Sequence, residues 1–441
     1  MRGPLNRIFA TTGSMKTQMK IASRYAYAAL RHGTPKKWWN AYKVWRARAR
    51  GDITVDGFPF VLKIESTNIC NLECPFCLDR DRSQFKGDGM RGFGRMKADF
   101  FKRVIDQLGP YAFNVNMYGS GEPLLFPEAY EMMRYAADKN VGVRISSNLS
   151  MRDFDDAMAE KVVTSGIEHL IVSCHGASQE TYEKYMIGGN FERVTKNMRK
   201  LVEAKKRLGK KLPFIDWQFL LFRHNQHEVK KAQAMADDIG VDFVRFIYPN
   251  IPPEFKEEWK PRAEGEASDY QPVPNAPANA QQKNGAAAPA PAAPAPAPAP
   301  APVAQAAPAP AAAGKKLPRI NVESCSWPYY SIYFNWDGGI LPCCDGTTKP
   351  SYDLGKFSET TDINDIWNGP DYQLVRRYAN FEIAPQDMDA RYTCASCLKP
   401  LAPFLIKQKG LPLDPAIEQK VDHALANAKK AFKPAAVAAK T

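Results

Sequence analysis

Short apolar runs alternate with amphipathic stretches from about residue 60 to 250. "FVLKIE" (60–65) reads as a strand, and residues 97–108 as a helix. The pattern continues with strands at 112–118, 141–147, 169–174, 215–222 and 242–248, and with helices at 127–139, 153–165, 191–207 and 226–238. Six strands separated by helices predict parallel crossovers, and hence a helix-covered sheet or a barrel.

Elsewhere the pattern changes. In a basic arm, residues 1–55, Trp38, Tyr42 and Trp45 recur at i, i+4 and i+7, one face of a helix, among Lys36, Lys37, Lys43, Arg46, Arg48 and Arg50. Such a helix suits an anionic membrane surface. Alternatively the aromatics pack on the domain that follows, or the acid-poor start is a targeting peptide. The α/β region spans 56–260. Residues 261–316 hold "AAAPAPAAPAPAPAPAPVAQAAPAPAAA" (286–313), which lacks core-forming side chains and reads as an extended tether. Residues 317–410, rich in aromatics, Gly and Cys, form a second, smaller region, and 411–441 an Ala/Lys-rich tail.

Charge narrows the partners. Residues 1–51 hold twelve of the 60 Lys and Arg and none of the 47 Asp and Glu, leaving 48 basic against 47 acidic residues elsewhere. Of the net charge of +13, all but +1 therefore belongs to the arm, and no nucleic-acid partner is expected for the core. No apolar run approaches the roughly 20 residues of a membrane span, and the start lacks the apolar region of a secretory signal. A cytoplasmic location is expected, with the arm allowing a peripheral place at the inner membrane face.

The nine cysteines form a triplet, Cys70, Cys74 and Cys77, a lone Cys174, and a C-terminal group of Cys325, Cys343, Cys344, Cys394 and Cys397. In a reducing compartment clustered thiols point to metal rather than disulfides. Three in eight positions suggest a metal centre with one ligand position open. Ligands bind at the C-terminal ends of parallel strands, and the unusual residues fall there. The triplet follows the first strand, "GSGEPLL" (119–125) the second and "SSN" (146–148) the third, while Ser173 closes the fourth. Cys174 reads as a buried core thiol, and His175 and His224 as structural.

"CNLECPFC" (70–77) followed by "GSGEPLL" resembles the radical S-adenosylmethionine (SAM) superfamily. The resemblance covers essentially all of residues 60–250, including "HGASQETYEKYMIGGNFERVTKNMRKL" (175–201) and "RHNQHEV" (223–229). It implies a partial (β/α)6 barrel. Cys70, Cys74 and Cys77 would hold three irons of a [4Fe–4S] cluster whose fourth iron SAM chelates. One electron would then cleave SAM to methionine and a 5′-deoxyadenosyl radical that abstracts hydrogen from a substrate carbon. By motif position Phe76 is expected near the adenine, and Gly119, Gly121 and Glu122 at the methionine amino group. Ser146, Asn148 and Ser173 are candidate ribose or carboxylate contacts. Ser120 stands where the family often has a second glycine.

"CSWPYYSIYFNWDGGILPCCDG" (325–346) with "CASC" (394–397) resembles the auxiliary-cluster region called twitch or SPASM, a small α+β domain. With five cysteines the one-cluster twitch version fits, and Cys325, Cys343, Cys394 and Cys397 would hold a second [4Fe–4S] cluster with no open site. Family spacing alone favours Cys343 over Cys344, and a structural zinc site is the alternative. The resemblance implies a two-electron dehydrogenation of a C–H bond, with the second cluster accepting an electron. Alternatives are a peptide-modifying maturase, an enzyme acting on a lipid-linked saccharide, and a non-enzymatic electron-transfer or zinc-binding scaffold. The partners implied are a small-molecule or peptide substrate and a flavodoxin- or ferredoxin-like electron donor.

Overall fold

Nine strands form one sheet in the order β6-β5-β4-β3-β2-β1-β7-β8-β9 in the computed structural model, which describes residues 27–77, 89–249, 251, 255–262, 322–343, 349–389 and 391–428. The tether beyond residue 262, the first 26 residues of the arm, Cys344 and the tail beyond 428 lie outside the described residues.

Strands β1 (Val61–Ile64), β2 (Asn114–Asn116), β3 (Gly142–Ser147), β4 (Ile167–Ser173), β5 (Phe214–Leu220) and β6 (Phe243–Ile247) are all parallel. The C-terminal region continues this sheet. β7 (Ser331–Phe334) pairs parallel with β1, and β8 (Gly339–Leu341) and β9 (Gly355–Lys356) follow antiparallel. The sheet is open rather than closed, a partial barrel.

One face of each strand is apolar because it carries the helices. Leu62, Val115, Val143, Leu170, Ile215 and Val244 belong to a single core. Helix α2 (Ala98–Leu108) adds Phe101, Val104, Ile105 and Leu108, the i, i+3, i+4, i+7 stripe. Helices α3 (Pro127–Asp138), α4 (Asp156–Thr164), α6 (Phe191–Arg207) and α7 (Val229–Ile239) join it. Side chains cap α4 and α6: the Asp155 carboxylate accepts from Met158 N at 2.8 Å, and Asn190 Oδ1 from Arg193 N at 2.7 Å. The short α5 (Gln179–Tyr185), N-capped by Ser178, was not anticipated. The helix expected at 226–238 opens with a 3-10 turn over Gln226–Glu228. There the Asn225 side chain accepts from Phe222 N and donates to the carbonyls of His175 and Leu220.

Helix α1 (Pro35–Arg50) lies across the N-terminal ends of the strands. Asn40 exchanges two hydrogen bonds with Phe58 just before β1, Trp38 packs edge-on against Phe113 before β2, and Lys37 Nζ donates to Asn140 O before β3. Its buried face is therefore Lys37, Asn40, Val44 and Ala47, and the aromatic face points outward. Of the three aromatics expected on one face, Trp38 meets the domain through Phe113, while Tyr42 and Trp45 stay exposed. Burial holds the Lys37 ammonium down to about 8.

Candidate functional site

The cysteine loop leaves β1 and is clasped by the ends of its neighbours. Glu122 N donates to Ile69 O at 3.0 Å, and a Cβ on Gly121 would come within 2.5 Å of Thr67 O and 2.7 Å of Ile69 O. Only glycine lets the "GSGEP" turn press this closely on the loop. Glu122 is itself a fastener: Oε1 accepts from Leu124 N at 3.0 Å and Oε2 from Asn148 N at 2.7 Å, tying the end of β2 to that of β3. Burial pushes its carboxyl up to about 7, against the lowering pull of those backbone N–H groups.

Around the thiols the structure gathers several expected residues. Asn148 Nδ2 lies 3.8 Å from Cys70 Sγ and donates to Asn71 Oδ1 at 3.0 Å. Cys77 Sγ faces Ser120 O at 3.9 Å, and Cys74 Sγ lies 3.7 Å from Met186 Sδ beyond α5. All three thiols are partly exposed. Among the described residues no three Cys, His, Asp or Glu side chains converge as for a single ion. Thiolates on a cube bind separate irons, so a partly open trio on one loop suits that donor set.

The other expected residues divide. Ser146 and Ser173, on neighbouring strands, hydrogen-bond each other at 3.1 Å on the face away from the helices. Phe76 enters an aromatic box with Tyr185, Phe222, Phe255 and Trp259 at centroid distances of 4.9–5.9 Å. Gly119 packs under Tyr333 and Glu65, which a Cβ would meet at 2.3 and 2.9 Å. His175 is bound into the ladder, with Nδ1 at 3.1 Å from Gln218 O and burial holding it down to about 3. Cys174 is fully buried, which pushes its thiol up. Both remain structural.

The sheet face opposite the helices is polar, which the reading of strand ends missed. Asp216 Oδ2 meets His169 Nε2 at 2.9 Å and accepts from Arg245 Nε at 2.7 Å, while Arg245 Nη2 donates to Gln218 Oε1 at 2.9 Å. Burial would raise Asp216, yet Arg245 and His169 outweigh it and hold the carboxyl below its ordinary value. Glu65, fully buried, accepts from Ser120 N at 3.2 Å, and burial pushes it up to about 7. The signal was in the strands: "IDWQF" (215–219) alternates polar Asp216 and Gln218 with apolar residues, and "FVRF" (243–246) sets Arg245 inside an apolar run.

The C-terminal thiols lie at the other end of the sheet. Cys325 precedes β7, which runs with β1, and Cys343 follows β8, which runs against it, so both stand at the N-terminal end of β1. Cys394 and Cys397 share a turn, Cys397 N donating to Cys394 O at 3.1 Å, ahead of α8 (Leu398–Gln408). Burial pushes up the Cys325 thiol and the phenols of Tyr372 and Tyr378.

Residues 64–212 match the model described as Radical SAM superfamily. Residues 325–398 match SPASM, an iron–sulfur cluster-binding domain, so the chain carries a radical SAM domain together with a SPASM/twitch region. These two domains imply [4Fe–4S] clusters and SAM as cofactors. The chain is 26% identical over 189 residues to the AdoMet-dependent heme synthase of Methanosarcina barkeri, covering 43% of this chain and 50% of the relative. It is 28% identical over 185 residues to a mycofactocin maturase of Mycobacterium ulcerans, covering 41% and 45%. The chain thus spans about half the length of these relatives. Streptococcus suis SuiB bound to S-adenosylmethionine aligns at TM-score 0.49 and 13% identity, over 86% of this chain and 81% of that one.

Proposed function

We propose that this chain is a radical SAM oxidoreductase in which Cys70, Cys74 and Cys77 hold the SAM-binding [4Fe–4S] cluster. Cys325, Cys343, Cys394 and Cys397 hold a second one. The observation that carries the reading is the convergence of the three-thiol loop, the Gly119–Glu122 turn and Asn148 on the C-terminal edge of β1, β2 and β3. When bound, the reduced cluster and SAM supply a 5′-deoxyadenosyl radical that takes a hydrogen atom from a substrate carbon. The protein binds, orients and excludes competing reactions. Gly121 and Glu122 fix the loop, Asn148 anchors Asn71 beside Cys70, and Phe76 with its aromatic box walls the adenine side. Ser146 and Ser173 offer hydroxyls to the ribose or carboxylate. Glu122 acts mainly as the fastener described above, its carboxylate already accepting from two backbone amides.

The net reaction we favour is a two-electron oxidation of a C–H bond. A closed four-thiolate cluster cannot bind substrate through iron, which leaves electron acceptance as its use. A second reading, peptide modification, is favoured by the likeness to a mycofactocin maturase. The electron donor in this proposal is a flavodoxin- or ferredoxin-like protein in the cytoplasm, where the thiols stay reduced.

The test is iron and sulfide per chain after anaerobic reconstitution, for wild type and Cys70/Cys74/Cys77→Ala. Two cubes predict roughly eight irons falling to about four, with SAM cleavage lost. About four irons in wild type, all lost in the variant, with zinc bound elsewhere, would remove the second cluster and the oxidation that depends on it.

A further inference from the structure

Among the described residues, six of the ten exposed large apolar side chains fall between Tyr27 and Trp45. On α1 they make one stripe: Trp38 is 48% exposed, Trp39 60%, Tyr42 45% and Trp45 62%. Trp39 stacks on Tyr42 at 5.3 Å, and Tyr42 lies 6.1 Å from Trp45, so the rings form a continuous surface. The helix cannot roll to hide them. Its other face is pinned by the Asn40 bonds to Phe58, by Lys37 to Asn140 O, and by Val44 and Ala47 in a small core with Val55 and Tyr329. An aromatic face held outward by a polar, hydrogen-bonded back is built to meet something.

The chemistry of the face says what. Its rings are Trp and Tyr, which place an apolar body and a polar tip at the lipid headgroup level. The stripe is flanked by Lys36, Lys43, Arg46 and Arg50, and α1 contains no acidic residue. The whole of residues 1–51 repeats that imbalance, while the rest of the chain is near neutral. No helix among the described residues is long and apolar enough to cross a membrane, so the contact is with a surface.

We propose that the Trp38–Trp45 face of α1 docks this protein on an anionic lipid bilayer. Because α1 crosses the N-terminal ends of β1, β2 and β3, docking turns that end of the sheet toward the bilayer and leaves the Cys70–Cys77 end facing away. The inference stands apart from the radical chemistry, since the surface would bind whether or not the clusters do.

Co-sedimentation of the full chain with phosphatidylcholine vesicles, with and without phosphatidylglycerol, tests it. Binding is expected to the anionic vesicles, weakening with salt. W39A/W45A should lower it about tenfold, and K36Q/K43Q/R46Q about a hundredfold. As a readout that needs no variant, bromine-labelled acyl chains should quench the exposed tryptophans while buried Trp217 and Trp367 keep their emission. Equal binding to neutral and anionic vesicles overturns the proposal. So does wild-type binding that survives in W39A/W45A, because residues 1–26 contain no tryptophan and would then be the contact. Dimerisation without lipid that the same variants abolish assigns the face to a second copy, and also overturns it.

Discussion

At the C-terminal end of β1, three thiols sit within one eight-residue loop, clasped by the "GSGEP" turn and by Asn148. At the opposite end, four thiols arrive from three segments: before β7, after β8, and from the turn at 394–397. The first group is assembled by local chain and needs only its neighbouring strand ends. The second exists only once β7 has paired with β1 and the helix Pro370–Ala379 has packed beneath it. Buried Arg376 marks that dependence. Its guanidinium lies 4.4 Å over the Trp367 ring and donates to Pro328 O at 3.1 Å and Ile53 O at 2.9 Å, binding the C-terminal region to the segment that leads into β1. The two groups thus differ in how much of the fold must be right before a cluster can bind.

The largest effect on this contrast should come from Cys394→Ala/Cys397→Ala. The proposed second cluster would be lost and net substrate oxidation would stop, while SAM cleavage to 5′-deoxyadenosine stays within about twofold, since the other thiols are untouched. Undiminished product formation by this variant would end the electron-acceptor role. Next, Arg376→Met should cost about 3–5 kcal/mol in chemical denaturation, because it removes a buried cation whose carbonyl partners are left without donors. Iron should fall from roughly eight toward about four with SAM cleavage kept. If both clusters vanished together, the ends would not be independent. Gly121→Ala presses on the other end. A methyl within 2.5 Å of Thr67 O must push the cysteine loop, at about 2–3 kcal/mol by thermal or denaturant unfolding. There SAM binding should weaken while the second cluster's iron is retained.

Much of this was legible in the chain. The alternation that predicted six strands holds in all six, because each carries one apolar face against helices, and "CNLECPFC" and "GSGEPLL" do meet at adjacent strand ends. What stayed hidden depends on pairing distant in sequence. Nothing in "SIYF" (331–334) says that it joins β1 rather than a sheet of its own, since a short apolar run fits either. Arg376, read locally, is an ordinary helix arginine. Lys37 was counted with the basic face because periodicity gives a helix its faces without saying which one the protein covers. The aromatic stripe was correct as a pattern and open as to direction, and the hydrogen bonds of Asn40 decide it.

Glu65 offers the smallest effect and the finest probe of the seam between the two ends. It lies beyond Ile64 at the end of β1, beneath the Gly119–Ser120 turn, and its backbone N–H donates to Phe334 O of β7 at 2.9 Å, so it touches both the barrel and the strand that joins the C-terminal region to it. Burial raises its carboxyl from 4.5 to about 7 in the folded protein. Between those values the folded state binds more protons than the unfolded one, so stability falls as pH rises through this window and the full cost is present above about 7. Glu65→Gln carries no charge to bury. The variant should match wild type in Tm below pH 4.5 and exceed it by about 1–2 kcal/mol at pH 8, the gain being partly offset by the weaker bond an amide oxygen accepts from Ser120 N. Equal stability of the two proteins at pH 8 would mean that Glu65 is ionised there without penalty. A cation would then have to reach it across the seam, and the two halves of the sheet would be coupled electrostatically as well as by their shared strands.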